Sequence, residues 1–251
     1  MKKTAIAGVV VALLTIGVGS AGADTISTLH ITGWLAGGGG LHIWARTGHY
    51  QTVEGTFGAG SFRWQKNGVT QNSPLYCLDV FHTFNFGETW ETQEQIIPPD
   101  PPDPPPFNTG EASWMFHKYG FTGNNAQAQG TQLALWEVSH DAQWRQNFDN
   151  PHHPDEHWWN TGSFRYKGSR TIAGFAVANT ILHDAYEHYN QHQVQRSIYY
   201  QPYPYHQNSY CGQGMIGDAP PMVPEPGTLV LFGTGLLTLT GGALRMRRRG
   251  R

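Results

Sequence analysis

A proline-rich run divides this chain into two parts with different sequence patterns. The run reads IIPPDPPDPPPF from Ile96 to Phe107, and proline lacks the backbone N–H that a strand ladder or a helix interior requires. We therefore predict an extended polyproline loop at this position. A partner-binding PxxP segment is the alternative, but no basic residue accompanies the run, which favours a stiff surface loop.

Short β-prone pieces separated by glycine fill the chain before this loop. From Thr25 to about Trp64 they predict strands joined by tight turns. The sequence Lys66-Asn67-Gly68 predicts a hairpin turn, and LYCLDVFHTF predicts a further strand from Leu75 to Phe84.

Helix-like patterns follow the loop, at Glu111 to Tyr119, Ala126 to about His140 and Ser169 to about Tyr189. An asparagine before the second helix can cap it. The whole pattern predicts an α+β fold, an antiparallel β-rich barrel or sandwich with about three packed helices.

The N-terminus has the features of a secretory signal peptide. Lys2 and Lys3 precede an apolar run, and the small residues Ala21-Gly22-Ala23 stand before Asp24. We therefore predict a signal peptide at residues 1–23, cleavage by signal peptidase after Ala23, and export of the remainder.

The C-terminal end combines a Pro-Glu-Pro turn at Pro224, Glu225 and Pro226 with an apolar helix and an arginine cluster. Physically this is a stop-transfer tail, with a transmembrane helix and basic tail at residues 227–251 in the inner membrane. The order of parts resembles the PEP-CTERM sorting signal of Gram-negative bacteria that make extracellular polysaccharide. The resemblance implies that an exosortase removes the tail and passes the protein to the cell surface or the extracellular matrix.

The predicted organisation leaves a body at residues 24–215 and a linker at 216–226. Seven of the 16 lysines and arginines lie in the two ends, whereas all 18 aspartates and glutamates lie between Asp24 and Glu225, so nine basic residues and a charge of about −9 remain. An acidic exported body is a poor partner for nucleic acid.

The stretch TQLALWEV contains a glutamine on an apolar helical face. Gln132 falls within the arc of Leu135, Trp136 and Val138, while Glu137 points away from that arc. A buried primary amide costs about 1–3 kcal/mol unless it is hydrogen-bonded. Gln132 is therefore predicted to be held in a hydrogen-bond network or to take part in chemistry.

Two short motifs together resemble the thioester domains of bacterial surface adhesins. The first has Tyr76, Cys77 and Leu78 on a predicted strand; the second has, on a predicted helix, Thr131, Gln132, Ala134, Leu135 and Trp136. The resemblance implies that the cysteine thiol attacks the glutamine carbonyl, expels ammonia and leaves an internal thioester, with Tyr76 and Trp136 lining its pocket. An external amine or hydroxyl then opens the thioester, so each molecule is a single-turnover covalent binder and not an enzyme.

Three alternatives to the thioester stay open from the sequence: a disulfide between the two cysteines, a structural protein in which both cysteines are free, and a hydrolase. A Cys77–Cys211 disulfide in a non-reactive structural matrix protein would make Gln132 a structural amide. A hydrolase would pair Cys77 with a histidine, and Asp79, His82 and His140 are the candidate bases near either reacting group. No cofactor is predicted. His188 and His192 have a spacing that can share a metal ion, but a solvated polar face is favoured and no metal site is predicted.

Overall fold

The computed structural model of this 251-residue chain describes residues 25–46, 52–82, 84–97, 108–141, 144–145, 163–189, 196–203 and 214–218. These residues form eight antiparallel strands and three helices, which confirms the predicted α+β class with a β-rich antiparallel sheet. The predicted signal peptide, residues 98–107 of the proline loop, residues 219–226 of the linker and the C-terminal helix with its basic tail lie outside the described residues. The predicted loop and linker begin too early, because Ile96 and Ile97 belong to β5 and residues 216–218 to β8. Among the described helices, none combines the length and the apolar character needed to cross a bilayer.

Six of the strands close into a ring. The sheet order is β3-β2-β4-β8-β7-β5-β1-β6, and a further pairing of β1 with β2 joins the two sides. The strands are β1 (Thr25–Arg46), β2 (Thr52–Lys66), β3 (Val69–Thr70), β4 (Leu75–Cys77), β5 (Thr89–Ile97), β6 (Phe164–Tyr166), β7 (Ser197–Pro202) and β8 (Met215–Asp218). The helices are α1 (Thr109–Tyr119), α2 (Asn125–His140) and α3 (Ala173–His188).

β1 is one long strand, and the prediction of turns at its glycines is wrong. The chain bends there and continues its pairing with β2, with register shifts on either side of Gly37. Gly37 has φ 92°, and a Cβ at this position would lie 2.7 Å from the carbonyl oxygen of Ala59. Glycine thus permits the close approach of two backbones, which bends the strand without ending it. The predicted turn at Asn67 and Gly68 is confirmed.

β4 ends at Cys77, so the predicted strand from Leu75 to Phe84 is too long. From Val80 onward the backbone N–H groups bind side chains and not a neighbouring strand. The N–H of Val80 donates to His140 Nε2 at 3.3 Å, and that of Phe81 donates to Asp79 Oδ1 at 2.8 Å. Aspartate side chains that bind backbone two residues on favour a turn over a ladder.

α2 is the most deeply buried helix of the described chain, with every residue from Thr131 to Ser139 buried. It packs against β1 and β2 and also against α1 and α3. Its predicted asparagine cap is confirmed, because Asn124 Oδ1 accepts a hydrogen bond from the N–H of Gln127 at 3.0 Å. Glu137, predicted to point away from the arc of Gln132, is nevertheless fully buried, because α2 packs against helices as well as against the sheet.

α3 begins four residues later than the predicted Ser169. The Ser169 hydroxyl hydrogen-bonds the Thr171 hydroxyl at 2.8 Å, and the Ser169 carbonyl accepts from the Tyr166 hydroxyl at 2.9 Å. These local bonds hold the segment in a turn before the helix starts at Ala173.

Candidate functional site

The structure brings Cys77 and Gln132 together through two hydrogen bonds. The Cys77 backbone N–H donates to Gln132 Oε1 at 3.0 Å, and Gln132 Nε2 donates to the Cys77 carbonyl oxygen at 2.6 Å. Both residues are buried, with Gln132 at 0% and Cys77 at 1% exposure. The glutamine amide therefore lies flat against the backbone of β4, as a further strand would, and its carbonyl carbon is held beside the cysteine.

Short elements and side-chain bonds fix this arrangement. β4 pairs with β2 on one side and with β8 on the other. Immediately after β4, the N–H of Leu78 donates to the Gly214 carbonyl at 2.8 Å, and the Ser139 hydroxyl donates to the Leu78 carbonyl at 3.1 Å. β4 and α2 are thus joined at Gln132 and again two helical turns later at Ser139, which sets the register between strand and helix.

Cys77 is a buried thiol that is bonded to no other cysteine among the described residues. Its Sγ donates to the Asp79 carbonyl oxygen at 2.9 Å. Burial raises the pKa of the thiol well above its ordinary value, and the Asp79 carboxylate adds to that rise, whereas the Trp136 indole N–H opposes it. The uncharged thiol is therefore the resting form at neutral pH.

The candidate bases make their contacts elsewhere. His82 Nδ1 hydrogen-bonds Asp79 Oδ2, and this bond raises the pKa of His82. His140 accepts from Val80, and burial lowers the pKa of His140. Within the described part of the chain, Cys77 Sγ forms no hydrogen bond to a histidine.

A cavity of about 270 Å³ adjoins Cys77. Its wall is aromatic and carries no charged side chain; the lining residues are Trp34, Phe57, Gly58, Phe62, Cys77, Phe84, Asn85, Phe86 and Trp136. The Trp34 ring stacks on Phe62 with centroids 4.6 Å apart. A Cβ at Gly58 would lie 2.7 Å from Trp34, so glycine at this position lets the indole lie close to β2.

The two predicted pocket residues have different positions. Trp136 lies in the cavity wall, one helical turn after Gln132. Tyr76 is absent from the lining; its hydroxyl donates to the Gly120 carbonyl at 2.9 Å and its ring packs edge-on against Phe116. Tyr76 thus anchors β4 to the end of α1.

The sequence motifs did not indicate most of the cavity wall. Trp34 lies on β1, Phe57 and Phe62 on β2, and Phe84 and Phe86 follow β4 at some distance from the motif residues. The only sequence signal is the closely spaced pair of phenylalanines around Asn85, seven to nine residues after Cys77. The strands that bring the others together are paired over separations too long for a local pattern.

Most of the remaining predicted residues lie outside the described part of the chain. Cys211, His192 and the sorting residues Pro224, Glu225 and Pro226 lie outside the described residues. His188 lies at the end of α3 and hydrogen-bonds the Asp184 carbonyl through Nδ1 at 3.3 Å. Across the described ranges, no cluster of three or more His, Cys, Asp or Glu side chains is arranged to hold a metal ion.

Comparison with known proteins identifies the C-terminal end of the chain. A family model described as the PEP-CTERM protein-sorting motif matches residues 223–249. The protein is therefore an exported one whose sorting depends on an exosortase. No curated protein and no solved structure matches the chain.

Proposed function

We propose that Cys77 and Gln132 form an internal thioester with which this exported protein attaches itself to an external nucleophile. The observation that carries the proposal is the pair of hydrogen bonds that fixes the Gln132 amide against the Cys77 backbone beside an aromatic cavity. After an exosortase removes the tail in a Gram-negative host, the reactive domain is delivered to the cell surface or the extracellular matrix.

Thioester formation requires one bond to form and one to break. Cys77 Sγ bonds to the side-chain carbonyl carbon of Gln132, the bond from that carbon to Nε2 breaks, and the thiol proton leaves with ammonia. The Cys77 N–H already donates to Gln132 Oε1, so it stabilises the negative charge that develops on this oxygen. Because the Gln132 amide is held on the backbone of the residue that carries the thiol, the reaction gains the high effective concentration that an inert amide needs.

The acceptor reaches the thioester through the aromatic cavity. Uncharged aromatic walls exclude water, which protects the thioester from hydrolysis until an acceptor enters. Opening transfers the Gln132 acyl group to an amine or hydroxyl of the acceptor and returns the Cys77 thiol. The protein therefore acts once and remains joined to its target.

A second function is favoured by the same hydrogen bonds. Because both polar atoms of the Gln132 side chain are paired, the residue also suits a purely structural amide that joins α2 to β4. In that case the protein is a non-reactive matrix component. A Cys77–Cys211 disulfide belongs to this second function.

Intact-mass spectrometry of the exported protein, unreduced and beside its Cys77→Ala variant, separates these functions. For the thioester, the wild-type mass falls one ammonia below the value calculated from its sequence, and methylamine treatment adds one methylamine. The Cys77→Ala variant has its calculated mass and does not react.

The contrary outcomes are equally specific. A wild-type mass short by two hydrogens and restored by reductant identifies a disulfide and rejects the thioester. A wild-type mass equal to the calculated value, without methylamine incorporation, assigns Gln132 a structural role.

A further inference from the structure

The indole N–H of Trp136 is a buried donor without an acceptor. The residue is 2% exposed, and Nε1 forms no hydrogen bond with any partner in the part of the chain that the structure describes. Buried tryptophan N–H groups usually find a partner, and an orphaned one costs about 1–3 kcal/mol. Trp136 also lines the cavity that adjoins Cys77. A buried donor without an acceptor beside a reactive group is a candidate for a role in its chemistry.

The resting state of Cys77 explains why this donor is unpaired. The thiol proton is directed to the Asp79 carbonyl, and an uncharged sulfur is a weak acceptor. The Trp136 N–H nevertheless lies close enough to oppose the rise that burial produces in the pKa of Cys77. A sulfur anion is a much stronger acceptor than a thiol. The same N–H therefore gains a full hydrogen bond only when the sulfur carries negative charge.

We propose that Trp136 is a catalytic donor of the Cys77–Gln132 reaction, whose indole N–H stabilises negative charge on Cys77 Sγ as the thioester opens. This inference rests on the proposed thioester function. During opening, the acceptor nitrogen bonds to the Gln132 carbonyl carbon, the bond from that carbon to Sγ breaks, and the sulfur leaves with the electron pair. The proton lost by the acceptor amine then passes to the thiolate. An interaction stronger in the transition state than in the ground state accelerates this step.

The other ionisable groups around Cys77 do not provide this stabilisation. Asp79 is acidic and raises the pKa of the thiol, and its charge is offset by the paired His82. His140, on the last turn of α2, donates no proton to the sulfur, because its Nε2 accepts from Val80 and burial keeps the ring neutral. Of the groups that act on the pKa of Cys77, Trp136 is thus the one whose side chain donates a hydrogen.

The test compares Trp136→Phe with Trp90→Phe in the exported full chain carrying Cys211→Ser, so that Cys77 is the only cysteine. Phenylalanine keeps a ring and removes the N–H. Trp90 is the matched control because its Nε1 is also buried and unpaired, but it does not line the cavity. The measurements are the rate of methylamine opening by intact mass and, in the opened protein, the pH profile of Cys77 alkylation by iodoacetamide.

We expect Trp136→Phe to slow opening about tenfold and to shift the alkylation profile upward by about half a pH unit to one unit. Trp90→Phe should leave both values at those of the parent protein. A folded Trp136→Phe protein with the parent's opening rate and alkylation profile overturns the inference and leaves the thioester intact. If the parent protein never loses ammonia, the proposed function is wrong. In that case the alkylation profiles of the parent and of Trp136→Phe still show whether Trp136 donates to the sulfur.

A second measurement applies if Trp136→Phe does not fold. Among the nine tryptophans, one indole N–H resonance in the NMR spectrum should move downfield when methylamine opens the thioester and the pH is raised. The same resonance should not respond in Cys77→Ala. If no indole resonance responds to ionisation of Cys77, the inference is wrong.

Discussion

Two polar side chains on α2, Gln132 and Glu137, are both fully buried but differ in their partners. Each polar atom of the Gln132 amide is bonded to the backbone of β4. Neither carboxylate oxygen of Glu137 meets a hydrogen-bond donor among the described residues. One helix thus contains a buried polar group that stabilises the fold and another that costs stability.

Charge separates the two residues further. Burial, and next the nearby Asp141 charge, raises the pKa of Glu137 well above its ordinary value, so its carboxyl group is held in the neutral form. An amide has no such equilibrium. The comparison teaches that burial of a polar group says little about its role until its partners are known. The following predictions test whether the partners of a polar side chain on α1 or α2 decide its contribution to stability.

The largest effect is expected for Gln132→Leu. The measurement is made in the Cys77→Ala protein, which keeps the backbone partners and cannot form a thioester. The change leaves a buried N–H and a buried carbonyl of residue 77 without partners, and we expect a loss of about 4 kcal/mol in urea unfolding. Gln127→Leu, partly exposed on the same helix, is the control and should change stability by less than about 0.5 kcal/mol. Equal effects of the two changes would show that the bridge to β4 is energetically unimportant.

Glu111 tests what a fully paired buried carboxylate contributes. It accepts from Trp144 Nε1 at 2.6 Å and from Arg145 Nε at 2.5 Å. Although burial raises the pKa of Glu111, the Arg145 charge opposes that rise. Glu111→Leu should cost about 3 kcal/mol, because a buried indole N–H and a partly exposed guanidinium lose their acceptor. Urea unfolding of Glu111→Gln, which keeps one acceptor oxygen, should give a smaller loss; the reverse order would contradict the pairing argument.

Glu137 should behave in the opposite way. Glu137→Met replaces the unpaired carboxyl group with an apolar side chain of similar length. We expect the free energy of unfolding to rise by about 2 kcal/mol at pH 8. Because the pKa of Glu137 is raised in the folded state, the unfolded chain releases its proton first, and wild-type stability falls as pH rises from about 4.5 toward the folded-state pKa. Both Glu137→Met and the control Glu137→Gln should remove this part of the slope between pH 5 and pH 8, as measured by urea unfolding. An unchanged slope in both variants would assign the pH dependence to other groups.

The smallest effect is expected at the exposed start of α2. Asn124 Oδ1 accepts from the Gln127 N–H, and Asn124→Ala should cost about 1 kcal/mol in thermal or urea unfolding. Asn124→Asp, which keeps the acceptor, is the control and should retain most of the stability. If Asn124→Ala costs as much as Gln132→Leu, burial does not explain the difference between the two hydrogen-bonding sites.

Local sequence signals predicted a good part of the fold and of the candidate site. The asparagine cap of α2, the Asn67-Gly68 turn and the three helices follow from side-chain chemistry within a few residues, and the structure has all of them. The Cys77 and Gln132 pair was recognised from two motifs, and the structure places them in contact. The continuation of β1 through its glycines was missed, because its pairing with β2 decides whether a glycine bends a strand or ends it.

The sequence alone determined the sorting signal, the buried position of Gln132 and the order of strand motif before helix motif, because each depends on neighbouring residues or on helical periodicity. Only the tertiary structure decided what Gln132 binds, that Glu137 is buried without a donor among the described residues, and that five further aromatic residues join Trp136 beside Cys77. These features arise where elements distant in sequence meet. A side chain's partners are set by the surface that packs against it, and no local pattern contains that surface.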